Sequence, residues 1–236
     1  MLKKIPSEKI WESNHDGLKG KFHFSFAEYY NEKNINFGVL RVVNDEILAP
    51  KTGFDLHQHR DMEIISYVVN GKLSHSDSVG NKTILEKGQV QYMSAGNGIF
   101  HSEYNNHNND LRFIQLWILP NKIDSKAIYG HFKFEWEKRI NNFFHIVSGK
   151  KGNAPIKINQ DINIFVTELE KEKTLNFQIE KKRQVYLIQI DGTSLINNIK
   201  LCEKDALKSI GTSLKIKSIN KSHILIIEMK ERLDLK

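Results

Sequence analysis

Apolar residues in this chain recur mostly at every second position or in short β-branched runs bounded by Gly, Asn and Asp. They seldom follow the three-and-four spacing of an amphipathic helix. In the stretch 21–26, phenylalanine occupies positions 22, 24 and 26, one face of an extended strand, with His23 on the opposite face. Further strands are expected over 36–43, 62–69, 88–93 and 112–119. Turn residues stand between them at Asn70-Gly71, Gly80-Asn81 and Gly96-Asn97-Gly98. Asn70-Gly71 is the strongest hairpin signal. Pro120-Asn121 closes this block, and 125–141, with alternating charge, reads as a short helix or an irregular connector. A second strand series follows over 143–148, 163–169, 184–190, 214–218 and 222–229. The pattern predicts an all-β protein of two units, residues 1–130 and 131–236, each the size of a small sandwich or barrel.

Composition narrows the class. With 236 residues, 39% hydrophobic and 27% charged, the chain has what a packed core needs and lies outside the disordered range. The single cysteine, Cys202, excludes an internal disulfide framework and a cysteine zinc cluster, and reads as a small buried hydrophobe. A reducing cytoplasm is the simplest home. The opening MLKKIPSEKIWE turns polar before an apolar stretch forms, so no leader is expected, and no apolar run is long enough to span a membrane. The net charge of +7 falls wholly in the second half. Residues 1–120 carry 13 Lys and Arg against 14 Asp and Glu, and residues 121–236 carry 22 against 14. Those lysines are scattered, without aromatic interleaving or a DNA-binding motif, so no nucleic-acid partner is expected.

Candidate chemistry lies in the first half. Of ten histidines, His57 and His59 form a His-x-His pair, and His101 stands two residues before Glu103. On a strand, residues i and i+2 project to one side, so each pair presents two donors together. Two such strands facing one another would gather three imidazoles and a carboxylate at a metal site. From spacing alone the carboxylate is either Glu103 or Glu63. The stretch 93–96 (Met-Ser-Ala-Gly) is read as the turn that presents His101. His75 and His107 read as surface-loop histidines, and Trp117 as core.

The segment from Gly53 to Gly71, with Phe54-Asp55-Leu56-His57-Gln58-His59-Arg60-Asp61-Met62-Glu63, resembles the pirin family of the cupin superfamily. The stretches His75-Ser-Asp-Ser-Val-Gly-Asn81 and Met93-Ser-Ala-Gly-Asn-Gly-Ile-Phe-His-Ser-Glu-Tyr-Asn105 carry the same resemblance. The likeness is dense over residues 20–120 and general beyond. It implies a bicupin: two face-to-face antiparallel β-barrels of the double-stranded β-helix type, with few short helices. The N-terminal barrel would bear the metal and the C-terminal one would be metal-free. By the family pattern the ligands fall on His57, His59, His101 and Glu103. Gln58 stands where the family usually has Pro, and Phe100 where it commonly has Arg.

Such a donor set suits a divalent first-row ion, Fe(II) first, with Mn, Ni, Co, Cu or Zn able to use the same atoms. The resemblance to bacterial pirin-like proteins implies quercetin 2,3-dioxygenase activity, with a flavonol and O2 as substrates and Glu103 as general base. Phe54, Ile65 and Tyr67 are the residues expected to line a flavonol pocket. The alternative implied by eukaryotic pirins is a metal- and redox-responsive binding protein that regulates a protein partner. A monomer is expected.

Overall fold

The computed structural model describes residues 1–231. The chain divides into two units, one of residues 11–134 and one that joins residues 1–10 to residues 135 onward. The first ten residues, placed above with the N-terminal domain, thus cluster with the C-terminal one. The reason is pairing: strand β1 (Leu2–Ile5) adds to the edge of a C-terminal strand, Ala206–Ile210, in antiparallel register from Leu2↔Ser209 to Ile5↔Ala206.

The 11–134 unit runs β2 (Trp11–His15), β3 (Leu18–Phe22), β4 (Leu40–Leu48), β5 (Gly53–His59), β6 (Glu63–Asn70) and β7 (Lys72–Asp77). It continues through β8 (Lys82–Glu86), β9 (Val90–Ser94), β10 (Ile99–Tyr104), β11 (Leu111–Ile118) and β12 (Ile128–Phe132). These strands form two antiparallel sheets rather than one closed barrel. The larger has the order β12-β9-β6-β11-β4-β3-β2 and the smaller β5-β10-β7-β8. Leu48, Val68, Leu73, Leu85, Leu111 and Phe113 make one core cluster, drawn from both sheets, and Ile64, Met93, Ala95 and Ile99 make a second. The 125–141 stretch holds strand β12 and a single 3-10 turn at Trp136–Arg139, so the helix alternative survives only as that turn.

The Asn70-Gly71 hairpin does not form. The turn instead carries the chain from β6 in the large sheet to β7 in the small one, and these two strands do not pair. Gly71 adopts φ +80, and a Cβ there would lie 2.6 Å from the Asp110 carbonyl oxygen, so glycine is required by the corner and not by a two-residue hairpin. Strand β3 likewise ends at Phe22, earlier than the alternating phenylalanines suggest. His23, Phe24 and Ser25 are buried beyond it in a segment tied down by its own turn.

The second unit repeats the plan with ten further strands among the described residues. Its larger sheet places Phe144–Gly149, Ile162–Leu169, Arg183–Asp191 and Ser222–Lys230 side by side with β1, Ala206–Ile210 and Ile156–Ile158. The smaller sheet joins Thr174–Phe177, Leu214–Ser218, Ser194–Ile196 and Ile199–Leu201. Leu187, Leu207, Leu214, Ile216, Ile224 and Ile226 anchor its core. Both units are thus built of two antiparallel-rich sheets, and no helix among the described residues is long and apolar enough to cross a membrane. Cys202 is exposed, not buried: it follows a three-residue strand and enters a turn capped by Asp205, whose Oδ2 accepts the Cys202 N–H at 2.7 Å.

Candidate metal centre

Two neighbouring strands of the small sheet supply the histidines. Strand β5 pairs antiparallel with β10, placing His57 opposite His101 and Phe54 opposite Glu103. Between those pairs β5 has two residues, Asp55 and Leu56, where β10 has one, Ser102, which is a β-bulge at Asp55-Leu56. The bulge reverses the side-chain parity of β5, so that Phe54 joins the core cluster while His57 and His59, three and five residues on, also turn inward.

The result is a tight cluster. His57 Nε2 lies 3.0 Å from His59 Nε2 and 3.0 Å from His101 Nε2. His57 Nδ1 lies 2.7 Å from the carbonyl oxygen of Asp55, an acceptor only, so Nδ1 carries the hydrogen and the Nε2 lone pair faces the cluster. Burial and the neighbouring imidazoles push His59 and His101 down to about 3, which keeps both rings in the neutral form that binds metal. All three ligand nitrogens lie within 4.8 Å of one another, close enough for one divalent ion to reach them together.

Glu103 stands beside this triad, grouped with His75 and His101 rather than with all three histidines. Its side chain is fully enclosed and held by three donors. Ser66 Oγ (3.1 Å) and Gln91 Nε2 (2.6 Å) donate to Oε1, and Gln115 Nε2 (2.7 Å) donates to Oε2. Burial raises Glu103 above the usual carboxylate range, opposed by the charge on neighbouring His75 and by the Ser66 and Gln115 hydrogen bonds. Gln115 is fixed in turn by the indole N–H of Trp117, which donates to its Oε1 at 2.8 Å. The Trp117 ring packs edge-on against His59 with centroids 4.6 Å apart, so Trp117 is a wall of the site as well as a core neighbour.

Glu63, the alternative carboxylate, is elsewhere: it accepts from Tyr92 Oη at 3.3 Å and joins neither donor group. His75 overturns its reading as a loop histidine. It lies on β7 directly opposite Glu103, stacks on Tyr129 at 4.5 Å, and contacts Asp77 Oδ2 through Nε2 at 3.2 Å, with both side chains fully enclosed. Alternation along Leu73, His75 and Asp77, all buried, was the signal for it. His107 does lie in the loop after β10. Of the expected pocket residues, Ile65 and Tyr67 are almost wholly buried, but alternation puts them on the face of β6 opposite Ser66, away from Glu103. Phe54 packs beside the core on the Glu103 side. The Gln91, Ser66 and Gln115 donors carried no local sequence signal, because three separate strands bring them to one carboxylate.

At Gly53 the backbones of β5 and β10 approach closely. A Cβ there would run into the Glu103 carbonyl and lie 2.6 Å from the Tyr104 Cα, and neither backbone atom can swing aside. Gly53→Ala is therefore expected to force the two donor strands apart, at the cost of about 1–3 kcal/mol typical of overpacking. Metal affinity is expected to fall by about 10–100-fold, the usual penalty for disturbing the support of a metal ligand. Metal titration beside a thermal melt checks this; undiminished affinity in a destabilised protein would show that the strands separate without moving the histidines.

A family model described as Pirin matches residues 6–118, and one described as the quercetinase C-terminal cupin domain matches residues 145–229. A pirin-like protein of Caulobacter vibrioides is 38% identical over 206 residues, 87% of this chain and 89% of its own length. A quercetin 2,3-dioxygenase of Escherichia coli is 35% identical over 196 residues, 83% of this chain and 84% of its own length. Among solved structures, the Escherichia coli bacterial pirin YhhW in complex with nickel(II) superposes with a TM-score of 0.92 at 31% identity, covering 98% of this chain and all of the other.

Proposed function

The chain belongs to the pirin family of the cupin superfamily, and from that premise we propose that it is a metal-dependent dioxygenase. Its reaction is the opening of the heterocycle of a flavonol such as quercetin with O2 and release of CO. The observation that carries this reading is the convergence of three imidazoles beside an enclosed, protein-held carboxylate. His57, His59 and His101, with Glu103 as fourth donor, would hold the ion. Fe(II) is the proposed native metal, and the same donors take Mn, Ni, Co, Cu or Zn. When bound, the metal supplies Lewis-acid activation and brings the flavonol and dioxygen together.

The protein's own part is proton handling and shape. Glu103 takes the 3-hydroxyl proton of the flavonol, becoming a carboxylic acid and leaving an electron-rich flavonolate. Its raised proton affinity suits that role, and its three donors keep it aligned. Trp117 closes one side of the triad against water. Phe100, 44% exposed on β10, alternates to the face of the strand opposite His101 and Glu103, so it stands outside the site.

The test is oxygen uptake and CO release with quercetin, on protein stripped and then reloaded with each ion in turn. Oxygen-dependent, metal-dependent loss of the flavonol supports the reading. Stoichiometric metal binding without flavonol loss overturns it and favours a metal-responsive binding protein.

A further inference from the structure

A cavity opens in the 11–134 unit. It has a volume of about 180 Å³, and its wall includes Leu18, Phe22, Phe26, Leu48, Phe54 and Glu46. None of His57, His59, His75, His101 or Glu103 lines it. At its outer side Glu28 accepts a hydrogen bond from Ser13 Oγ at 2.8 Å and meets His15 Nε2 at 3.0 Å, a polar margin on an otherwise apolar space. Phe22 and Phe26 meet edge-to-face with centroids 5.0 Å apart and give the wall an aromatic surface.

Glu46 is the unusual member of that wall. It is 4% exposed; Asn44 Nδ2 donates to its Oε1 at 3.1 Å, while Oε2 is buried with no hydrogen-bond partner. A buried polar atom without a partner is rare and asks for a ligand or a role. Size limits the ligand. An apolar cavity of about 150 Å³ accommodates benzene, whereas drug-sized molecules need about 300–1,000 Å³. The space therefore suits one aromatic ring with a small substituent.

We propose that this cavity is a binding site for a simple phenol, a single aromatic ring held among Phe22, Phe26, Leu48 and Phe54 with its hydroxyl hydrogen-bonded to Glu46. Burial first, and then the negative charge of nearby Glu103, push Glu46 up to about 8, which favours the protonated carboxyl, both a donor and an acceptor toward the hydroxyl. The site does not depend on the dioxygenase reading, because occupancy requires neither metal nor oxygen.

Fluorine NMR titration of the metal-stripped full chain with para-fluorophenol and with fluorobenzene tests it. The phenol is expected to bind about tenfold more tightly than fluorobenzene, the ratio that one added hydrogen bond of ordinary strength supplies. Glu46→Leu is expected to remove that preference while fluorobenzene still binds, and Glu46→Gln to retain part of it. Leu18→Trp, which fills the space without touching the acid, is expected to abolish binding of both probes in a protein that still melts cooperatively. The inference is overturned by a wild-type chain that binds neither probe, by a phenol preference that survives Glu46→Leu, or by binding that survives Leu18→Trp.

Discussion

Replacing His101 with alanine is expected to strip the protein of bound metal and to reduce flavonol turnover to the level of the metal-free chain. His101 is the residue shared by both donor groups, the His57–His59 pair and the His75–Glu103 pair. It is wholly buried, and its Nε2 lies 3.0 Å from that of His57. Without it the remaining imidazoles on β5 have no imidazole facing them from β10. The loss should exceed the about 10–100-fold that removal of a supporting group costs a metal site. Metal content after dialysis and oxygen uptake with quercetin provide the two readouts. His107→Ala, in the loop after β10, serves as the control and should leave both unchanged. Full metal retention by His101→Ala would sink the assignment of the triad.

Replacing Glu103 with glutamine is expected to lower kcat by about 10²–10⁴, the usual contribution of a positioned general base. An amide preserves the shape but cannot take the hydroxyl proton. It also brings its own N–H groups toward Ser66, Gln91 and Gln115, all of which now donate to the carboxylate. Unless one glutamine partner turns over its amide, a donor is left facing a donor, at about 1–3 kcal/mol. A modest fall in Tm should therefore accompany the large fall in kcat. A variant that melts lower but turns over at the wild-type rate would assign Glu103 a purely structural place.

Much of the site was legible because it depends on local periodicity. His57 with His59, and His101 with Glu103, are i, i+2 pairs, and any extended backbone puts such pairs on one side. The strand series was readable for the same reason: 214–218 is a strand with those bounds, and 163–169 and 222–229 each differ from theirs by one residue. Other readings failed where a local pattern admits two outcomes. Asn-Gly permits a tight turn but does not say which strands it joins, and here it joins two sheets. A fully buried strand such as β6 hides which face looks at the site, so the sequence offers Ile65 and Tyr67 as pocket residues although they lie on the face opposite Ser66. His75 looked like a loop residue because its neighbours are Ser, Asp and Gly, yet alternation carries it inward.

The sequence by itself determined an all-β chain of two units, the two donor pairs, and the half of the molecule that holds them. Each is a matter of backbone period or of residue type. Tertiary structure alone decided the rest. The bulge at Asp55-Leu56 turns Phe54 and His57 to the same interior, and the registers of β10 with β5 and β7 set His101 and Glu103 against His57 and His75. Ser66, Gln91 and Gln115 meet on one carboxylate, and β1 crosses to the C-terminal unit. The physical reason is that period constrains only which side of its own strand a residue occupies. Which strand lies opposite, and in what register, is settled by the burial and hydrogen bonding of residues far apart in the chain.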